Sequence, residues 1–119
     1  LCGFVYAEKI MSYAETQAYR EKIIFSKSSR YQRIVLTKSP SAIKLYLNSN
    51  LQFNSADEYR YHEALVHVPA AFCTSLKKIL VLGGGDGLAV REILKYPGVD
   101  SVLLIDLDKT VTDLFTDNT

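Results

Sequence analysis

The stretch ILVLGGGDGLAVREIL, residues 79–94, decides how the second half of the chain folds. Ile79 to Leu82 is apolar on both faces, as a central strand of a parallel sheet is. The glycines at 83, 84, 85 and 87 break it, and the segment from Leu88 to Tyr96 has helical spacing until Pro97-Gly98 stops it. Ser101 to Ile105 is a second apolar strand. Strand, helix and strand at this spacing make a βαβ unit, hence a parallel sheet. A glycine turn that opens a helix presents backbone N–H groups to a ligand, most often a nucleotide.

The spacing of the turn narrows the ligand. A dinucleotide fingerprint needs a third glycine at position 88, where this chain has Leu88. No G-K-[ST] follows, so a phosphate-cradling P-loop is excluded. Gly83, Gly85 and Gly87 instead resemble the turn of the class I S-adenosylmethionine enzymes, although such a turn alone also reads as mere packing. About twenty residues further on, Asp106 stands at the end of the second strand, where a carboxylate can accept hydrogen bonds from a ribose diol. Asp108 is the better helix-starting acid. Asp86, inside the turn, repels anions, so the ligand near it is expected to be neutral or cationic, a sulfonium or an amine.

Upstream the character differs. Glu8 to Lys22 suits an amphipathic helix with apolar positions at Ile10, Tyr13, Ala14 and Ala18. IIFSKSSRYQRIVLT is β-branched and broken by a serine-rich turn, and KSPSA turns again around Pro40. In IKLYLN, Ile43, Leu45 and Leu47 alternate with polar neighbours, a half-buried strand. Asn48-Ser49-Asn50 is a tight turn and LQF a return strand. The first half reads as a small antiparallel sheet. Ser55 and Glu58 fit a capping box that starts a helix running through Val66, with Tyr61, Leu65 and Val68 facing a core and Pro69 at its end.

Composition sets the limits. At 119 residues the chain supports a real core, and its net charge of +1 points to no nucleic acid partner. No apolar run approaches the roughly 20 residues of a membrane span, and LCGFVYA lacks the marks of a signal peptide. Cys2 and Cys73 form no CxxC and read as small buried residues in a reducing compartment. His62-Glu63 is followed by His67 one position too late for HExxH, so no metal site is expected. No Ser-His-Asp or Cys-His set is present either. The opening on Leu1 and the close inside DLFTDNT give the look of a piece of something longer.

Taken together, YQ at 31–32, LYLNSNLQF at 45–53, DEYRYHEALVH at 57–67, GGGDG at 83–87 and LIDLD at 104–108 resemble the polyamine aminopropyltransferases, the spermidine synthase family. The resemblance covers roughly two-thirds of the chain, in matching order and spacing. It implies an α/β fold: a small N-terminal antiparallel β-domain over 23–54, then the first part of a Rossmann-like parallel sheet over 55–119. It also implies transfer of the aminopropyl group of decarboxylated S-adenosylmethionine, a co-substrate and not a resident cofactor, to a diamine such as putrescine. Residue by residue, Gln32 and Gln52 match glutamines near the thioadenosine donor, and Gly83 and Gly85 form its turn. Asp86 holds the donor's amine end, next to the polyamine, and Asp106 binds the ribose. Tyr61 and His62 match the pair that faces the polyamine.

The donor chemistry agrees with the turn. Decarboxylation leaves a sulfonium and an ammonium, which the Asp86 carboxylate attracts. Two readings compete: a methyltransferase of similar fold, whose carboxylated donor sits poorly against Asp86, and a non-catalytic polyamine- or nucleoside-binding module. Leu88-Ala89 and the asparagine-rich LYLNSNLQF look more like members with an N-terminal membrane domain. Residues 1–22 would then be a juxtamembrane or linker helix, and the rest a cytoplasmic domain, homo-oligomeric and tethered to the cell membrane. The family's catalytic aspartate falls in a loop after a later strand, so no catalytic residue is expected among these 119, and the isolated piece is expected to be inactive and to self-associate.

Overall fold

A central β-branched strand and a hairpin with two left-handed residues organise the first half of the chain. The computed structural model describes residues 2–116, and these form two compact units that divide between Ala56 and Asp57. In the first unit a helix, α1 (Cys2–Ala18), precedes four strands, β1 (Lys22–Ser28), β2 (Arg33–Lys38), β3 (Ile43–Leu47) and β4 (Asn50–Asn54). They pair in chain order as an antiparallel sheet. Leu36 lies opposite Leu45, and Leu45 opposite Phe53. These three and Ile34 are buried. They share one face through strand alternation, and the burial of Val35 and Thr37 between them shows that β2 is covered on its other face too.

The other face is held by charge. Glu15 of α1 accepts hydrogen bonds from Arg33 Nε at 2.6 Å and Nη2 at 2.8 Å. Glu21 accepts from the buried Thr37 hydroxyl and from Lys44. Tyr19 packs on Tyr46 with ring centroids 4.7 Å apart. Arg33 holds the Glu15 carboxyl below its ordinary range. The stripe expected to bury α1 does not do so: Ile10, Tyr13, Ala14 and Ala18 are exposed. The helix also ends at Ala18, short of Lys22, because Lys22 begins a β-branched strand. No helix of the described residues is long and apolar enough to cross a membrane.

Asn48 and Ser49 take φ of 49° and 66°. Positive φ at both central residues is the pattern of a primed hairpin turn, which matches the twist of the flanking strands. In β4, Leu51 pairs with Tyr46 and Phe53 with Leu45, so Gln52 is the extra residue of a bulge. Ser55 is not a helix cap. Its hydroxyl accepts the Ile43 N–H at 2.9 Å and extends the β3–β4 ladder.

In the second unit α2 (Glu58–Ala70) leads to β5 (Lys78–Leu82), α3 (Leu88–Ile93), β6 (Ser101–Ile105) and α4 (Lys109–Thr116). Strands β5 and β6 are parallel, with Leu80 beside Leu103 and Leu82 beside Ile105. Helix α2 starts at Glu58 without a side-chain cap from Asp57, and Pro69 sits inside its last turn. Helix α3 is shorter than the expected run to Tyr96. After Ile93 the bonds tighten to Lys95 N–H on Glu92 C=O and Tyr96 N–H on Ile93 C=O, the looser geometry of a fraying end.

Tyr61, Leu65 and Val68 do not enter a core here; they are exposed, and the buried residue of α2 is His62. Cys73, expected to be buried, is exposed; the Cys2 side chain lies outside the described ones. One face of the parallel pair is open: Leu80 is 56% exposed, Leu82 75%, Leu103 61% and Ile105 53%. An apolar face of this kind seeks a cover. The 119-residue chain expressed by itself is therefore expected to associate, and a sharp monomer in sedimentation velocity contradicts that expectation.

Candidate functional site

The glycine turn leads from the carboxyl end of β5 into α3 and lies beside the carboxyl end of β6, the place where open α/β sheets bind ligands. Gly83, Gly84 and Gly87 have φ of 80°, 71° and 77°, a backbone that residues with a Cβ rarely adopt. Gly83 N–H bonds the Ile105 carbonyl at 2.8 Å, which continues the β5–β6 ladder into the turn. Gly85 is a glycine for a different reason. A Cβ there would meet Asp106 Oδ2 at 2.9 Å and Thr112 Oγ1 at 2.8 Å. Its N–H donates to Asp106 Oδ2 at 2.8 Å.

Asp106 thus clasps the turn from the neighbouring strand. Its other oxygen, Oδ1, accepts the Asp108 N–H at 2.8 Å. An ionised carboxylate has about four lone-pair sites, so each oxygen retains one for a ligand hydroxyl. Asp108 takes the helix-starting role: its Oδ1 accepts the Thr110 N–H at 3.1 Å at the head of α4. Asp86 is half-buried in the turn. Its Oδ1 accepts the Leu88 N–H at 3.0 Å, and among the described residues Oδ2 has no partner.

The acidic helix before the turn contains a network that the sequence reading missed. Arg91 of α3 donates through Nη1 to Glu58 Oε1 at 2.8 Å and through Nη2 to Glu58 Oε2 at 3.1 Å. It also donates from Nε to Glu92 Oε1 at 3.0 Å. His62 Nδ1 lies 2.8 Å from Glu58 Oε2 and 2.9 Å from the Glu58 carbonyl. The Tyr61 ring stands edge-on to His62, with centroids 5.1 Å apart. Hydrogen bonding from Arg91 holds the Glu58 carboxyl low, and Glu58 in turn raises Arg91.

Glu92 is the deepest charge of this network, 1% exposed. Lys95 first, then Arg91 and His67, bond its carboxylate and hold it at about 2 against an ordinary 4.5, outweighing burial. The other His67 nitrogen, Nδ1, is 2.7 Å from the Tyr96 hydroxyl. A signal for Glu92 was present in the sequence: Ala89, Glu92 and Ile93 share one face of α3, and all three are buried. Because the folded carboxyl releases its proton more readily than the unfolded one, Glu92 adds stability above pH 4.5, and that contribution fades as pH falls toward 2. Glu92→Gln is expected to destabilise the protein at neutral pH and to converge on the native stability near pH 2. Denaturant unfolding across pH measures this; a pH-independent gap between the two proteins refutes it.

The sequence-predicted residues therefore fall into two groups. Gly83, Gly85, Asp86 and Asp106 form one cluster, and Tyr61 and His62 lie on α2 of the same unit. Gln32 and Gln52 belong to the four-stranded unit. Gln32 precedes β2, its backbone bonded to the Ser29 turn, and Gln52 is exposed at the β4 bulge. The two histidines hold separate partners, and no His/Cys/Asp/Glu group among the described residues is arranged for a metal ion.

An α/β unit with a glycine turn clasped by a strand-end carboxylate is that of a nucleoside-binding enzyme fold. Residues 58–118 match the spermine/spermidine synthase domain, and the chain belongs to that family. It is 52% identical over 118 residues to a polyamine aminopropyltransferase of Leptospira interrogans, with 99% of this chain and 24% of the relative covered. It is 48% identical to polyamine aminopropyltransferase 2 of Ralstonia nicotianae, with 98% of this chain and 23% of the relative covered. The chain spans about a quarter of the length of these relatives. A spermidine synthase crystallised with the transition-state analogue AdoDATO is similar at a TM-score of 0.78 and 34% identity, over 81% of this chain and 33% of that one. The spermidine synthase of Thermotoga maritima gives 0.77 and 34%, over 81% and 34%. The expected fold, an antiparallel β-unit followed by the start of a Rossmann-like parallel sheet, is the one observed.

Proposed function

We propose that the intact protein transfers the aminopropyl group of decarboxylated S-adenosylmethionine to a diamine such as putrescine, giving spermidine and methylthioadenosine. The observation that carries the reading is the acid within the glycine turn: Asp86 Oδ2 stands free among the described residues, next to a turn that Asp106 clasps at 2.8 Å. A carboxylate there favours a donor ending in ammonium and disfavours a phosphate. Asp106 takes the ribose hydroxyls with its remaining lone pairs, and Tyr61 and His62 face the diamine; Gln32 and Gln52 are assigned to the donor by the resemblance alone. In the reaction the amine nitrogen attacks the carbon next to the sulfonium, the C–S bond breaks, and the nitrogen loses a proton. Positioning and proton removal are the enzyme's share. The names of the relatives favour this reading over methyl transfer and over a non-catalytic module.

The finer placement is part of the same proposal. Leu88-Ala89 and the turn at Asn48-Ser49 support a member with an N-terminal membrane domain, and the open apolar face of the parallel pair supports a homo-oligomer. The test incubates the intact protein with putrescine and either decarboxylated or ordinary S-adenosylmethionine. Spermidine and methylthioadenosine from the decarboxylated donor alone support the proposal. Methyl transfer from the ordinary donor, or no turnover of either, overturns it.

A further inference from the structure

His62 is almost wholly enclosed. The residue is 6% exposed, and its Nδ1 faces two oxygens of Glu58, the main-chain carbonyl at 2.9 Å and Oε2 at 2.8 Å. Both are acceptors. The Glu58 carboxyl is kept ionised by the two-pronged contact from Arg91. Nδ1 therefore carries a ring proton, so that whenever the ring is neutral its lone pair lies on Nε2. Among the described residues nothing bonds Nε2, yet no buried side-chain nitrogen or oxygen lacks a partner. Nε2 consequently opens onto the surface. An acceptor nitrogen that opens outward from a buried ring can receive an N–H donor.

We infer that Glu58, clamped by Arg91, is a positioning residue that locks His62 in its Nδ1–H form and so aims the Nε2 lone pair at an N–H of the acceptor amine. The inference rests on the reading that His62 faces the diamine. Glu58 touches no substrate in this scheme. It acts by choosing the tautomer, since the opposite one, with hydrogen on Nε2, would turn a donor toward another donor. Arg91 holds the carboxylate beside the ring nitrogen and favours its ionised form.

Two measurements on the intact protein separate the parts. With 15N-labelled histidine, the His62 signals, identified by their loss in His62→Ala, are expected to show Nδ1 protonated and Nε2 bare. In Glu58→Ala, which leaves the Glu58 main-chain carbonyl as the remaining acceptor at Nδ1, the Nε2–H form is expected to gain population relative to the native protein, and in Glu58→Gln, whose side-chain carbonyl still accepts from Nδ1, to lose it again. In steady-state kinetics Glu58→Ala is expected to raise the diamine KM about tenfold, the size of one hydrogen bond. The donor KM should not move, Glu58→Gln should recover most of the loss, and Glu58→Ala should add nothing in a His62→Ala background. A His62 tautomer unchanged in Glu58→Ala overturns the positioning role. A tautomer that flips with no change in diamine KM overturns the assignment of His62 to the amine. A donor KM that rises equally points to a purely structural role and also overturns the inference.

Discussion

Asp86→Asn is expected to weaken decarboxylated S-adenosylmethionine by roughly 2–4 kcal/mol, the cost of losing one member of a desolvated charge pair, or about 30-fold to about 700-fold in affinity. Methylthioadenosine, which has no ammonium, should bind the variant as it binds the native protein. The substitution is clean because Asp86 uses only Oδ1 locally, to accept the Leu88 N–H at 3.0 Å. Asparagine keeps that acceptor and removes the charge. The head of α3 should stay intact, and circular dichroism should show no loss of helix. Calorimetry with the two ligands checks the difference. Equal losses for both would mean that residue 86 shapes the turn and does not contact the amine end.

Asp106→Ala is expected to weaken methylthioadenosine itself, by roughly 1.5–3 kcal/mol if the carboxylate accepts from the ribose hydroxyls. Here the structure warns of a second effect. Asp106 also accepts the Gly85 and Asp108 N–H groups, each at 2.8 Å, so alanine removes a clasp as well as a ligand contact. A 2′-deoxy analogue separates the two. If the ribose contact dominates, the deoxy ligand binds the native protein weakly and is nearly insensitive to the mutation. If the clasp dominates, the deoxy ligand suffers the full loss. Gly85→Ala gives an independent measure of the clasp, because its Cβ would press on Asp106 Oδ2 at 2.9 Å.

Those features of the fold that repeat along the chain were legible in the sequence. The alternation of Ile43, Leu45 and Leu47, the double-sided apolar runs of β5 and β6, and the acid after β6 each follow from local pattern, and the structure has them where they were read. The failures share a cause. Ser55 has the right spacing for a capping box with Glu58, but its hydroxyl is taken by the Ile43 N–H, twelve residues back, and Glu58 is taken by Arg91, thirty-three residues on. No local window contains those partners. In the same way α1 was assigned an apolar footing, whereas the Glu15–Arg33 ion pair ties it to the sheet. Charge pairs have no period, so hydrophobic periodicity cannot reveal them.

The bulge in β4 has a bearing on how this sheet can change over time. Leu51 stays opposite Tyr46 and Phe53 opposite Leu45 whatever stands between them. Residue 52 is therefore a position at which chemistry can drift while the ladder keeps count. A glutamine there can give way to a longer, shorter or charged side chain without flipping Phe53 out of the core, as a one-residue slip in an unbulged strand would. The sheet carries one adjustable finger on a fixed hand, open to substitution with no insertion, deletion or repacking.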